Sequence, residues 1–195
     1  MGLEFAYDYG QTPLTADELE GLIPKHITTH QELNEWESTN ILEGRNWAFS
    51  QRHKDILSIC FVLKLHKQMF SETWTWAGTY RTSEKYIGVA PYQISTDLQI
   101  LLDNVKYWQE HETYSFDEIG ARLHYKMTWI HPFNNGNGRH ARLFADLFMH
   151  QNSKDIFSWG SNQIIAPKEI RRQYIDALKE ADKKNLEPLI HFVRS

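Results

Sequence analysis

The segment His131-Pro132-Phe133-Asn134-Asn135-Gly136-Asn137-Gly138-Arg139, with Arg142 three residues further on, sets the tightest limit on how this chain can fold. Upstream, Ser115 with Glu118 three later opens an apolar stripe through Ile119, Leu123, Met127 and Ile130. Downstream, apolar pairs at 143/144 and 147/148 repeat at the spacing of one helix face. A short glycine-rich turn therefore joins two helices. Gly136 and Gly138 carry no Cβ, so their backbone reaches positive φ and can approach a ligand with successive N–H groups exposed. Such a turn delivers an anion to the N-terminus of the second helix, where unpaired N–H groups and the helix dipole favour phosphate.

Around this cradle the residue types fit phosphate chemistry. Arg139 and Arg142 share one side of the first turn and can bracket a polyphosphate with their fork-shaped donors. His131 has the side chain whose ordinary pKa suits it to take a proton near neutral pH, Pro132 stiffens the corner, and Phe133 anchors it in the core. The plain alternative is a glycine turn capping a helix with solvated arginines, which fits each piece alone better than the ordered set.

In that order the residues resemble the Fic family signature, His-Pro-Phe-x-(Asp/Glu)-Gly-Asn-Gly-Arg-x-x-Arg, at every specified position except Asn135. The resemblance implies an all-α Fic-domain helical bundle with a short β-hairpin flap, and a protein adenylyltransferase that moves AMP from ATP to a hydroxyl of a target protein. It further implies that His131 deprotonates a Ser, Thr or Tyr hydroxyl, that Gly136, Asn137 and Gly138 hold the α- and β-phosphates, and that Arg139 and Arg142 hold the β- and γ-phosphates. Asn135 stands where the family acid ligates Mg²⁺; a neutral carbonyl is a weaker ligand for that hard ion, so the implied metal site is weakened. The alternatives this leaves are a nucleotide-binding regulator with little turnover and a transferase using another nucleotide or a phosphodiester donor.

A second pattern, Thr39-Asn40-Ile41-Leu42-Glu43-Gly44, resembles the inhibitory (Ser/Thr)-x-x-x-Glu-(Gly/Asn) element of Fic proteins. Thr39 and Glu43 share a helix face, Gly44 is a natural stop, and the expected inhibitory helix covers 29–44. A Glu43 carboxylate paired with Arg142 would fill the space of the γ-phosphate and inhibit the enzyme. This arrangement is similar to the small bacterial Fic proteins called mobile mystery protein B, which resemble restrained toxins and admit a regulatory partner protein.

The remainder of the sequence predicts one domain over 1–195 with its core at about 46–182. A net charge of −4 offers no global field for nucleic acid. One cysteine, Cys60, expected on a buried helix face, and the lack of a membrane-spanning run or signal peptide point to a cytoplasmic protein. Helices are expected around Ile56, Ile59, Cys60, Leu63 and Phe70, around Leu98, Leu101, Leu102, Val105 and Trp108 behind a Thr96/Gln99 capping box, and from Pro167 through Ile170, Tyr174, Leu178 and Ala181. Between the first two, Trp76–Arg81 and Lys85–Pro91 read as an irregular hairpin. It resembles the Fic flap, which implies Tyr86, Ile87, Gly88 and Val89 as the edge that docks the target by β-augmentation; a surface hairpin with no partner fits the residues equally well. The ten histidines show no metal-ligand spacing, His124 is expected to pack, and the tryptophans, Trp74 and Trp76 among them, are expected in core and flap packing. Tyr174 and Asp182 lie where Fic proteins contact adenine and ribose.

Overall fold

Helices form where the sequence carries apolar stripes. In the computed structural model, which describes residues 15–50 and 55–195, these are α1 (Ala16–Glu20), α2 (His30–Ser50), α3 (Ile59–Phe70), α4 (Ile94–Glu110), α5 (Phe116–Ile130), α6 (Asn137–Gln151), α7 (Pro167–Asp182) and α8 (Glu187–Val193), with a 3₁₀ turn at Pro91–Gln93. The single domain expected over 1–195 includes residues 1–14 and 51–54, which lie outside the described residues. Among the described residues there is no strand, and the pairing of Leu22 with Trp74 is an isolated bridge.

The hairpin of α5 and α6 is the centre of the fold. α4 and α8 pack on α5, α3 packs on α6, and α2 lies against α3. Ser115 caps α5 by accepting the Glu118 N–H at 3.2 Å, and Pro167 opens α7 where its missing N–H costs nothing. The fully buried Val62, Leu65, Met69, Leu98, Leu102, Leu123, Phe144 and Phe148 fill the space between these helices, and Leu189 and Val193 extend the core beyond residue 182.

Four expectations are corrected here. The inhibitory helix does not stop at Gly44: α2 continues to Ser50, and Gly44 serves packing instead of a stop, since a Cβ there would lie 2.8 Å from the Gln68 carbonyl oxygen and the Met69 Cα. Gly44 is the crossing point that lets α2 and α3 approach. α4 starts at Ile94 as a continuation of the 3₁₀ turn, so Thr96 lies inside the helix and Gln99 bonds Asp103 instead of closing a capping box. Cys60 is exposed at the start of α3. The flap between α3 and the 3₁₀ turn has no ladder; its main chain is held by side chains, as described below.

Four histidines, His66, His124, His131 and His140, are buried, and burial pushes each below the ordinary imidazole value, to about 4 for His131 and His140 and about 3 for His124. The unfolded chain therefore takes up protons near pH 6.5 that the folded chain refuses. Stability should be complete above about pH 6.5 and fall as pH drops towards 4, by roughly 1.4 kcal/mol per pH unit for each such histidine. Asp146, raised by burial to about 6, offsets one of them. Thermal unfolding between pH 7.5 and pH 4.5 should show a steep loss of midpoint, and a flat profile would contradict the burial of these neutral imidazoles.

Candidate active site

His131 is the last residue of the α5 turn and adopts left-handed backbone, φ 54 and ψ 59, with its N–H on the Met127 carbonyl at 3.2 Å. A non-glycine residue holds this conformation only when its surroundings fix it. Here the surroundings are Arg81. Its Nε donates to the His131 carbonyl at 2.6 Å, Nη1 to Ser83 at 2.9 Å, and Nη2 to Val89 and, at 3.4 Å, to Ile130. The His131 Nδ1 faces the Thr128 carbonyl at 3.4 Å, which favours the tautomer with its proton on Nδ1 and the lone pair on Nε2. Burial, then the charges of Arg81 and Lys85, keep the imidazole neutral down to about 4. A neutral imidazole at the mouth of the turn is a proton acceptor across the physiological range.

The turn after His131 is closed by one amide. Asn137 accepts the Phe133 N–H at 2.9 Å through Oδ1 and donates to the Phe133 carbonyl at 2.8 Å through Nδ2. Its side chain is thus committed to the loop, and what Asn137 leaves for an anion is its main-chain N–H among the first-turn N–H groups of α6, which lack carbonyls one turn back. Gly136 has φ 77, and a Cβ there would meet the Phe70 ring at 2.5 Å. Gly138 faces open space, the nearest atom to its would-be Cβ being the Tyr174 hydroxyl at 3.7 Å. A phosphate can approach the backbone at Gly138; at Gly136 the glycine serves the turn.

His66, which the sequence did not single out, ties the turn to the flap. Its Nδ1 accepts the Gly78 N–H at 2.9 Å, so Nε2 carries the proton and donates to the Asn135 carbonyl at 3.1 Å, and the ring stacks on Phe133 with centroids 3.7 Å apart.

The two arginines rest on different partners. Arg139 pairs with Glu37 Oε2 at 2.6 Å, touches Asn135 Oδ1 at 3.3 Å, and lies 5.1 Å over the Phe70 ring. Arg142 lies 4.2 Å over Tyr174 and 5.7 Å from Trp159, and its buried Nε has no hydrogen-bond partner among the described residues. Tyr174 in turn meets His124 Nε2 at 3.0 Å, so His124 packs, as expected. The open N-terminal turn of α6 therefore sits between two guanidinium groups carried on different supports.

Glu43 does not reach this site. It is exposed, and among the described residues it makes no ion pair with Arg142; Thr39 is also exposed and bonds the Glu35 carbonyl. The carboxylate paired with Arg139 is Glu37, buried six residues earlier, whose Oε1 also accepts the Trp74 indole N–H at 2.7 Å; Arg142 instead interacts with the charge of Asp146. A sequence signal for it exists: Leu33, Glu37, Asn40, Gly44 and Ala48 form the buried stripe of α2, and an acid on an apolar stripe needs a cation.

In the flap, Tyr86, Ile87 and Gly88 are exposed, whereas Val89 is buried and donates its N–H to Ile130 at 3.3 Å. The exposed stretch is thus one residue shorter than the edge expected from the sequence, and Val89 ties it to the end of α5. The Lys85 side chain is also buried, paired with Glu18 of α1 at 2.6 Å, and Ser83 bonds the same carboxylate at 3.1 Å. Asp182 is exposed and accepts the Tyr125 hydroxyl.

The residues present do not fit a protein-held Mg²⁺. The Asn135 Oδ1 already accepts the Gly136 N–H at 2.6 Å and faces the Arg139 cation, and no group of three or more His, Cys, Asp or Glu among the described residues could hold a metal.

Residues 56–149 match the Fic/DOC family. The chain is 29% identical over 188 residues to the protein adenylyltransferase fic-1 of Caenorhabditis elegans and 33% over 191 residues to that of Caenorhabditis briggsae; each alignment takes in 94% of this chain and 35% of the relative. The chain thus spans about a third of the length of these relatives. The solved structure of C. elegans Fic-1 superposes with a TM-score of 0.65 at 27% identity, covering 81% of this chain and 48% of that one. The BepC protein of Bartonella tribocorum, solved with bound AMPPNP, has the same fold, with a TM-score of 0.71 at 17% identity and coverage of 92% and 97%.

The two glycines of the turn should respond differently to alanine. Gly136→Ala strains a positive φ and drives a methyl into Phe70, so it should lower stability by roughly 2 kcal/mol or more. Gly138→Ala should keep the unfolding midpoint and weaken nucleotide binding, read by calorimetric titration with ATP. Intact ATP affinity in Gly138→Ala would mean that the anion does not sit at this turn.

Proposed function

We propose that this chain, whose residues 56–149 carry a Fic/DOC domain, is a protein adenylyltransferase that transfers AMP from ATP to a side-chain hydroxyl of a target protein. One observation carries the reading: a neutral buried His131, the open turn at Gly138 and two guanidinium groups converge on the N-terminus of α6. The named activity of the relatives supports it. In the step, the acceptor hydroxyl gives its proton to His131 Nε2 and its oxygen bonds to the α-phosphorus. The bond from the α-phosphorus to the bridging oxygen breaks, and pyrophosphate leaves against Arg139 and Arg142. First-turn N–H groups of α6 hold the remaining phosphate oxygens, and Tyr174 borders the nucleotide beneath Arg142.

In the same reading the target segment runs along Tyr86–Gly88 and Val89 fixes that edge to Ile130. Restraint of the enzyme rests on Glu37, which occupies one arginine that the phosphates require. Membership of the mobile mystery protein B subgroup, a regulatory partner protein and a cytoplasmic location belong to this proposal and rest on motif and composition; no helix among the described residues is long and apolar enough to cross a membrane.

A second reading, a nucleotide-binding regulator, is favoured by the Asn135 side chain, whose Oδ1 is already engaged by the Gly136 N–H and Arg139 at the position where the family acid would hold a metal. The test uses ATP labelled at the α-phosphate, with Mg²⁺ or Mn²⁺, followed by detection of label on protein. Wild type should transfer label slowly and His131→Ala should transfer none. Glu37→Gln keeps an acceptor for Trp74 while removing the charge, and should raise transfer and ATP affinity roughly 5- to 30-fold. Tight ATP binding without transfer in both wild type and Glu37→Gln would favour the regulator; transfer unchanged by Glu37→Gln would remove the restraint from the account.

A further inference from the structure

Arg81 is 1% exposed, yet its hydrogen-bond acceptors are main-chain carbonyls, those of Ser83, Val89, Ile130 and His131. The Arg81 N–H also donates to the Pro132 carbonyl at 2.9 Å. Two of these carbonyls belong to the flap on either side of Tyr86–Gly88, and the other three belong to the junction that carries His131. Desolvation lowers the Arg81 pKa and the charges of Glu84 and Glu18 oppose that shift, but the guanidinium hydrogen bonds above go to main-chain carbonyls and not to a carboxylate, so the group serves main-chain geometry.

We propose that Arg81 is a positioning residue, a planar clamp that fixes the left-handed peptide of His131 and the flap edge in one register, so that an acceptor docked on Tyr86–Gly88 meets the His131 imidazole in line. This rests on the transferase reading above. The geometry specifies arginine. Nε serves the histidine junction, Nη1 serves the flap, and Nη2 bridges the two, which takes donors diverging in one plane from a rigid group; a lysine ammonium has three donors on a compact head. The fit is close on the other side too. A Cβ on Gly88, which has φ 102, would lie 2.7 Å from both Arg81 Nη2 and His131 Cβ, so the flap backbone leaves no room for a side chain beside the clamp and the base. The phosphate cradle is built from other bonds, the Asn137 amide and the first turn of α6, and does not depend on the clamp.

The experiment compares wild type with Arg81→Lys, Arg81→Gln and Arg81→Ala, all checked for folding by circular dichroism. The cradle should be untouched, so ATP affinity should stay within about twofold in Arg81→Lys and Arg81→Gln. Transfer at saturating ATP should fall by a hundredfold or more. Millimolar ethylguanidinium should restore part of the rate to Arg81→Ala. Two readouts do not need transfer at all: the Val89 N–H should exchange faster with solvent, and the His131 imidazole should titrate higher in Arg81→Gln, since the Arg81 and Lys85 charges oppose its protonation while the Thr128 carbonyl favours it. A parallel loss of ATP affinity and rate, without guanidinium rescue, would make Arg81 merely structural and overturn the proposal. Absence of transfer in wild type would overturn the transferase reading instead. In that case unchanged Val89 exchange and an unchanged His131 titration in the variants would still overturn the clamp.

Discussion

Everything at the site hangs on the reciprocal pair of hydrogen bonds between the Asn137 amide and the Phe133 main chain. Six residues separate the end of α5 from the start of α6, and they must reverse the chain while leaving the first turn of α6 open. A buried loop of this kind would strand polar main-chain groups. One amide satisfies a donor and an acceptor at once, Gly136 supplies the positive φ that starts α6, and Phe133 seals the turn against His66. With the turn closed in this way, His131 is left at one end and the helix N-terminus at the other.

The electrostatics follow from that closure. The imidazoles around the turn are neutral because burial makes their charged forms costly, so they add no positive charge. The positive potential comes from Arg139, Arg142 and the α6 dipole. Arg139 is balanced by Glu37, whereas Arg142 is supported by the faces of Tyr174 and Trp159. An anion arriving at Gly138 therefore meets one cation that it must win from a carboxylate and one supported by aromatic rings.

The α5–turn–α6 unit was legible because its signals are local. A Ser115 cap, periodic apolar residues and two glycines act within a few positions of each other, and α3, α5, α6 and α7 lie close to where the stripes put them. What the sequence concealed is long-range. Glu37 and Glu43 sit on the same helix, and a spacing motif prefers Glu43; the choice is made by which side of α2 faces α3, and that depends on Gly44 fitting against Gln68 and Met69. Arg81 and His66 bond to main-chain atoms some 50 to 70 residues away, so no local pattern marks them. The flap looked like a hairpin because it mixes β-formers with Gly and Pro. Its carbonyls are claimed by the Arg81 side chain, and no ladder forms among the described residues.

The most direct measurement is a crystal structure of the chain with a non-hydrolysable ATP analogue. The account predicts phosphates against the first turn of α6 at Gly138, Arg142 turned onto them, the Glu37–Arg139 pair opened, and the Asn137–Phe133 bonds unchanged. A nucleotide bound elsewhere, for instance in the cleft of about 660 Å³ between α7 and α8, or phosphates seated at α6 with the Glu37–Arg139 pair still closed, would contradict it.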